Sequence, residues 1–246
     1  MRPALFASSL AVALTLAACG GVTREIAIET PIRPKLDVSM FQRVLVAGFL
    51  AGGTDEVDGN AETVRLLRSQ LRNKSDLRVI DADALPLLEE SGAKPAAAGE
   101  KVVIKDEKEL EPLEALFANA DYWKRIGEEY QNPLIVTGTV LFLPHQRSGY
   151  VQREEEVYDS FGRRRVVPIR SFQERKGYIL KPKFIFIDGR TGTTLYSETF
   201  REEVLYNANQ STPALSTYFE LMERLIPSFL NTLSSQKIKG ARVLLQ

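Results

Sequence analysis

The chain has one cysteine, Cys19, at the end of a stretch, Ala4 to Ala18, that carries no charge. A single thiol cannot form an intramolecular disulfide, so whatever folds here must be held by its hydrophobic core. The chain is long enough to build one. It has 246 residues, 44% of them hydrophobic, a size at which one or two domains are expected. With 26% charged residues, the composition is that of a globular protein and excludes a disordered chain or a multi-span membrane protein. The 32 Lys plus Arg balance 32 Asp plus Glu. Nucleic-acid binding ordinarily leaves a basic excess, so no nucleic-acid partner is expected.

The N-terminal segment gives an address. Arg2 supplies a short positive start, and about fifteen uncharged residues make a leader-type apolar region too short to span a bilayer comfortably. The segment ends in Leu16-Ala17-Ala18-Cys19, followed by Gly20-Gly21. This resembles the lipobox of bacterial lipoproteins, in which small residues precede an obligatory cysteine. The resemblance implies removal of residues 1–18 as a signal peptide and attachment of diacylglycerol to the Cys19 thiol. Acylation of the new amine by a palmitate-type chain follows in that family. Cys19 is thus the expected lipid-attachment site, and this covalent lipid is the only expected prosthetic group. Gly20, where enteric lipoproteins retained at the inner membrane carry aspartate, favours the periplasmic side of the outer membrane. Residues 20–42, with Thr30-Pro31 and Arg33-Pro34, show no convincing period. They read as a tether that follows the lipidated cysteine, so that 19–42 is anchor and tether and 43–246 a single periplasmic domain.

Within that domain, Arg43–Phe49 is an apolar run ending in glycines, which reads as a buried strand. Val64, Leu67 and Leu71 then mark one face of a helix, with Asn60 as its expected N-cap. A strand over Leu77–Ile80, a short helix over Ala82–Glu90 and a flexible loop over Gly92–Gly99 follow. Helical spacing from Glu109 to Tyr130 breaks at Asn119. Leu134–Leu143 is nearly continuous apolar sequence, the best central strand. Tyr150–Tyr158, Arg163–Phe172 and Tyr178–Ile187 are strand-like, the first two joined by the turn Asp159-Ser160-Phe161-Gly162. After the turn at Asp188–Gly192, Thr193–Phe200 is a further strand. The last element is a helix opened by Thr212 and Pro213. Its stripe is Leu215, Tyr218, Phe219, Met222, Leu225, Ile226, Phe229 and Leu233, and Pro227 is expected to kink it. The order predicts an α+β fold, a mixed α/β sandwich with a central sheet, flanking helices, a long antiparallel hairpin and a C-terminal helix.

The string Asn132-Pro133-Leu134-Ile135-Val136-Thr137-Gly138-Thr139-Val140 resembles a strand of periplasmic CsgG-like and TolB-amino-terminal-like domains. Lys183 to Ser197, with Asp188-Gly189-Arg190-Thr191-Gly192 at its turn, resembles their paired strands. Val44–Phe49 and the helix after it correspond to their first strand and helix, and LpoB belongs to the same broad fold group. The likeness covers residues 43–234 in pattern. It implies a lipid-anchored envelope protein that binds, assembles or assists export, and it is compatible with a homo-oligomer. A CsgG-type oligomeric secretion channel is the alternative it implies.

No catalytic constellation is legible. His145 is the only histidine, and no Gly-x-Ser-x-Gly elbow exists. With the thiol acylated, no metal-ligand spacing is present. Gly48–Thr54 lies between a strand and a helix but lacks the lysine of a phosphate loop, and Asp55, Glu56 and Asp58 would repel an anion. The acidic cluster also departs from an EF-hand loop. Glu154-Glu155-Glu156 alternate across a strand, which suits solvated faces better than an acid/base pair. An envelope hydrolase, with a carboxylate pair formed across strands, is the remaining alternative. Arg163, Arg164, Arg165 and Arg170 make the hairpin basic. They are the candidate docking residues for an envelope protein or the peptidoglycan machinery, or else edge-protecting charges. The expectation is therefore a non-enzymatic binding or assembly protein with no catalytic residues, no metal and no dissociable cofactor, held at the membrane by its lipid.

Overall fold

The computed structural model describes residues 23–92, 104–207, 209–210 and 212–245. Cys19, the leader and most of the expected loop at Gly92–Gly99 lie outside them. The chain forms two units, a body over Lys35–Ser234 and a small ribbon from the two ends up to Pro34 and from Ser235.

The body is a mixed sheet covered on both faces. Its strands are β2 (Arg43–Gly53), β3 (Arg78–Val79), β4 (Leu134–Tyr158), β5 (Arg164–Asp188), β6 (Thr194–Thr199) and β7 (Glu202–Asn207). The order is β3-β2-β4-β5-β6, with β7 on β5. β2 runs parallel to β3 and β4, while β5 runs antiparallel to β4, β6 and β7. Strands buried on both sides read as unbroken apolar runs, which is why Val44–Leu50 and Leu134–Phe142 show no alternation. A bulge between Val46 and Gly48 resets the parity of β2. Gly48 takes φ +140 there, a conformation open to glycine and costly for other residues. Val44, Val46 and Phe49 therefore face one cluster, and Leu45, Ala47 and Leu50 the other.

The first cluster is closed by α1 (Gly59–Lys74) and α5 (Ala214–Leu233). α1 buries Val64, Leu67 and Leu71, as its spacing predicts. Its N-cap is Asp58, whose carboxylate accepts from the Ala61 amide at 3.0 Å. Asn60 instead accepts from the Phe49 amide at 2.8 Å and pins the helix start to β2. α5 buries Tyr218, Met222, Leu225, Ile226, Phe229 and Leu233, together with Leu221 and Leu230. Leu215 of the expected stripe is exposed. The helix begins one residue after Pro213, with no side-chain cap from Thr212, and runs through Pro227 without interruption. Pro227 is on the exposed side, as is Glu223, whose carbonyl an amide at 227 would otherwise bond. Solvent can satisfy that carbonyl, so the missing hydrogen bond does not break the helix.

The second cluster is closed by α2 (Leu87–Glu90), α3 (Glu107–Leu110), a 3-10 segment (Glu111–Ala118) and α4 (Ala120–Glu129). The expected helix over Ala82–Glu90 is reduced to its last turn. Pro86 disfavours helical backbone at Leu85, whose amide donates to Ala47 O instead. The break at Asn119 is present, and its side chain caps α4 by accepting from the Tyr122 amide. Trp123 is fully buried there and donates its indole N–H to Leu116 O at 3.0 Å.

Two corrections concern strand continuity and the ends. The four strand segments expected between Leu134 and Ile187 are two uninterrupted strands of 25 residues each. Pro144 does not stop β4, because β2 ends opposite Phe142 and β4 is an edge strand from there on. Pro182 sits between the stretches of β5 paired with β7 and with β6. Part of the expected tether, Thr23–Ile32, is strand β1, and Gln236–Leu245 is strand β8. They pair antiparallel over their full length, so the C-terminal strand belongs to the ribbon and not to the body. A terminal pairing between residues about two hundred positions apart leaves no local pattern for sequence reading to find.

Candidate functional site

The feature that distinguishes the body is the outer half of the β4–β5 hairpin. β7 supports β5 from Arg175 to Leu180 and no further. Beyond that point, among the described residues, β4 and β5 pair with no other strand. This arm has about eleven residues per strand and a length of roughly 35 Å at the usual rise. Nearly every residue from Gln146 to Phe172 is exposed. A lone two-stranded ribbon is marginal in water, so its sequence must supply local support.

That support sits at the tip. Asp159 accepts from the amides of Phe161 (3.0 Å) and Arg163 (2.9 Å), and Gly162 takes φ +72 to close the turn. The Arg163 amide, foremost, holds the Asp159 carboxyl below the usual carboxylate range. The arginines expected to dock a partner are largely engaged here. Arg163 bonds Asp159 at 3.1 Å and lies over the Phe161 ring. Arg165 is 3.6 Å from the same carboxylate, and Arg164 pairs with Glu156 at 2.8 Å. Arg170 stands opposite Gln152 and has no ion pair among the described residues. The three consecutive arginines therefore stabilise the tip as much as they advertise charge. Of the four expected docking arginines, Arg170 remains as a plain cationic contact.

What the arm offers instead is aromatic and apolar surface. Phe161 is 81% exposed, Tyr150 75%, Tyr158 65% and Phe172 60%. Tyr150 and Phe172 face each other across the strands in an edge-to-face contact, ring centres 5.4 Å apart. Register places Tyr150, Phe172, Val166 and Tyr158 on one face with Glu154, Glu156, Arg164 and Arg170. The other face holds Val151, Val157, Val167 and Ile169 with Arg153, Glu155 and Arg165. Each face mixes aromatic or branched side chains with both signs of charge. Exposed tyrosine, phenylalanine and arginine are the residue types that anchor protein interfaces. Sequence reading found the hairpin by its strand pattern and turn, marked it for docking by its charge and did not single out these aromatics, because alternation alone does not show which strands lack a covering layer.

The other candidates stay apart from the arm and from one another. His145 is half-buried at the arm's base, in a cleft of about 470 Å³ with Tyr178, Tyr206 and Lys176. A second cleft, about 320 Å³, lies between the loop after β2 and α2, lined by Thr54, Asp55 and Asp58. Its acidic residues form turn and cap: Thr54 Oγ1 accepts from the Glu56 amide, and Asp58 caps α1. Among the described residues no group of three or more His, Cys, Asp or Glu is placed to hold a metal. Glu203 pairs with Arg201 and Glu128 with Lys124 at the surface. Among the described residues no helix is long and apolar enough to cross a membrane.

No protein-family model and no curated protein matches the chain. Among solved structures it is similar to lipoprotein GNA1162 from Neisseria meningitidis, at 13% identity and a TM-score of 0.36, over 77% of this chain and 98% of that one. It is also similar to the hypothetical protein CT253 from Chlamydia trachomatis, at 11% identity and a TM-score of 0.37, over 78% of this chain and 98% of the other.

Proposed function

We propose that this chain is a lipid-anchored envelope protein, facing the periplasm from the outer membrane, that binds or assembles partners and carries out no chemistry of its own. In this reading the β4–β5 arm is the contact element, and Cys19 ties the protein to the bilayer. The observation that carries it is the arm itself, which reaches about 35 Å beyond its last lateral support with four aromatic rings exposed along it. A folded ribbon of that length gains nothing for the core. Its value lies in reaching something else. The strand–helix–strand pattern of residues 43–234 supports membership of the CsgG-like, TolB-amino-terminal-like and LpoB fold group. The arm argues for docking over a channel wall, since either face, with Arg153, Glu155 and Arg165 on one and Glu154, Glu156 and Arg164 on the other, would bring charges to lipid at a cost if turned toward it.

Photo-crosslinking tests the reading. A photoreactive residue at Phe161, in the lipidated protein in intact cells, is expected to form a discrete adduct with an envelope protein or peptidoglycan. The same residue at exposed Asp121 on α4 is expected to form none. Adducts from Asp121 with none from Phe161 would move the docking site to the body and refute the role of the arm.

A further inference from the structure

The β1–β8 ribbon sorts its residues by face. Register places Ile26, Ile28, Thr30 and Ile32 on the same side as Gly240 and Arg242. That side has three isoleucines each about 40% exposed and Arg242, with no carboxylate among the described residues. Glu29 is on the other side, with Lys239. One face is thus apolar and cationic, and the other is mixed and formally neutral.

We propose that the apolar, cationic face of this ribbon lies on the phospholipid surface that holds the acyl chains of Cys19. The inference rests on the lipid-anchor reading, and it deepens it by assigning a second membrane contact. Chain length supplies the first argument. Thr23, where β1 starts, is four positions after Cys19, so the strand begins within about 14 Å of the anchored residue. Charge supplies the second. Branched side chains flanked by arginine, with carboxylates excluded, are complementary to acyl chains beneath anionic headgroups. Arg242 stands directly opposite Ile26, where its stem can cover apolar surface while the guanidinium meets lipid phosphate. A two-stranded ribbon also needs a covering layer to persist in water, and the bilayer supplies one.

The test uses the only cysteine to advantage. In the lipidated protein Cys19 is acylated, so single substitutions Ile26→Cys, Ile28→Cys, Ala27→Cys and Ala241→Cys each accept one nitroxide label. The labelled proteins are reconstituted in vesicles of phosphatidylglycerol and phosphatidylethanolamine, and collision with oxygen is compared with collision with an aqueous nickel chelate. Labels at 26 and 28 are expected to favour oxygen several-fold over labels at 27 and 241, and Arg242→Glu is expected to abolish the difference. Equal access of the chelate to all four positions would overturn the placement. So would spin–spin broadening at 26 and 28 that persists in detergent, which would mean a second copy covers the face. Exclusion of both reagents, unchanged between detergent and vesicle, would overturn it as well and indicate cover by protein. Label uptake by Cys19 in the unsubstituted chain would refute the anchor itself, and the ribbon placement with it.

Discussion

Phe229→Ala is expected to destabilise the body by about 3–5 kcal/mol, the usual cost of removing a fully buried ring from a packed core. Phe229 is 1% exposed. Its ring lies 4.9 Å from that of Phe184 and 5.9 Å from that of Phe186, centre to centre, so it joins α5 to the C-terminal part of β5. With no disulfide to limit the unfolded chain, the core carries that loss alone. Leu215→Ala on the same helix is the control. Leu215 is exposed, and its loss is expected to stay within about 0.5 kcal/mol. Denaturant midpoints of the two variants measure the difference. Equal midpoints would show that α5 is peripheral to the body.

Cys19→Ser is expected to abolish stable membrane attachment. In the proposed anchor the thiol accepts diacylglycerol, a hydroxyl does not replace it, and the acyl chains would supply about 0.8 kcal/mol for each buried methylene. The β1–β8 ribbon alone, held by charge and a few isoleucines, is expected to yield to a high-salt wash. Fractionation before and after that wash separates the two contributions. A Cys19→Ser protein that remains in the membrane pellet after the wash would refute the anchor.

Much of the body was legible in the residues because burial leaves local patterns. The apolar runs at Val44–Leu50 and Leu134–Phe142 have no alternation because helices cover both faces of the sheet, and the spacing of Val64, Leu67 and Leu71 gives α1 directly. Asn119 is an audible break because its side chain caps the next helix. Where reading failed, the deciding interaction was remote. Asn60 looked like a cap until β2 claimed its side-chain oxygen through the Phe49 amide. Pro144 looked like a strand end, yet the strand continues because its neighbour has already stopped. The ribbon was invisible, since β1 finds its partner at the far end of the chain. In the candidate site, charge drew the eye to Arg163, Arg164 and Arg165, which turn out to hold the hairpin tip together. The aromatics Tyr150, Tyr158, Phe161 and Phe172 resemble core residues in a sequence. They become candidate contact residues only when they are seen to be exposed on the strand.

The arm can be removed without entering the body. Gly149 and Gln173 are directly opposite each other, so residues 150–172 can be replaced by Asn-Gly, a two-residue turn suited to a hairpin. The measurement is the apparent mass of the lipidated protein after extraction in mild detergent, for the intact chain and for this shortened one. The account predicts that the intact chain runs in a complex well above the mass of a single lipidated copy. The shortened chain is predicted to keep its thermal unfolding transition and its place in the membrane, but to run at its own mass. Complexes of equal stoichiometry with and without the arm would contradict the claim that it is the element through which this protein docks.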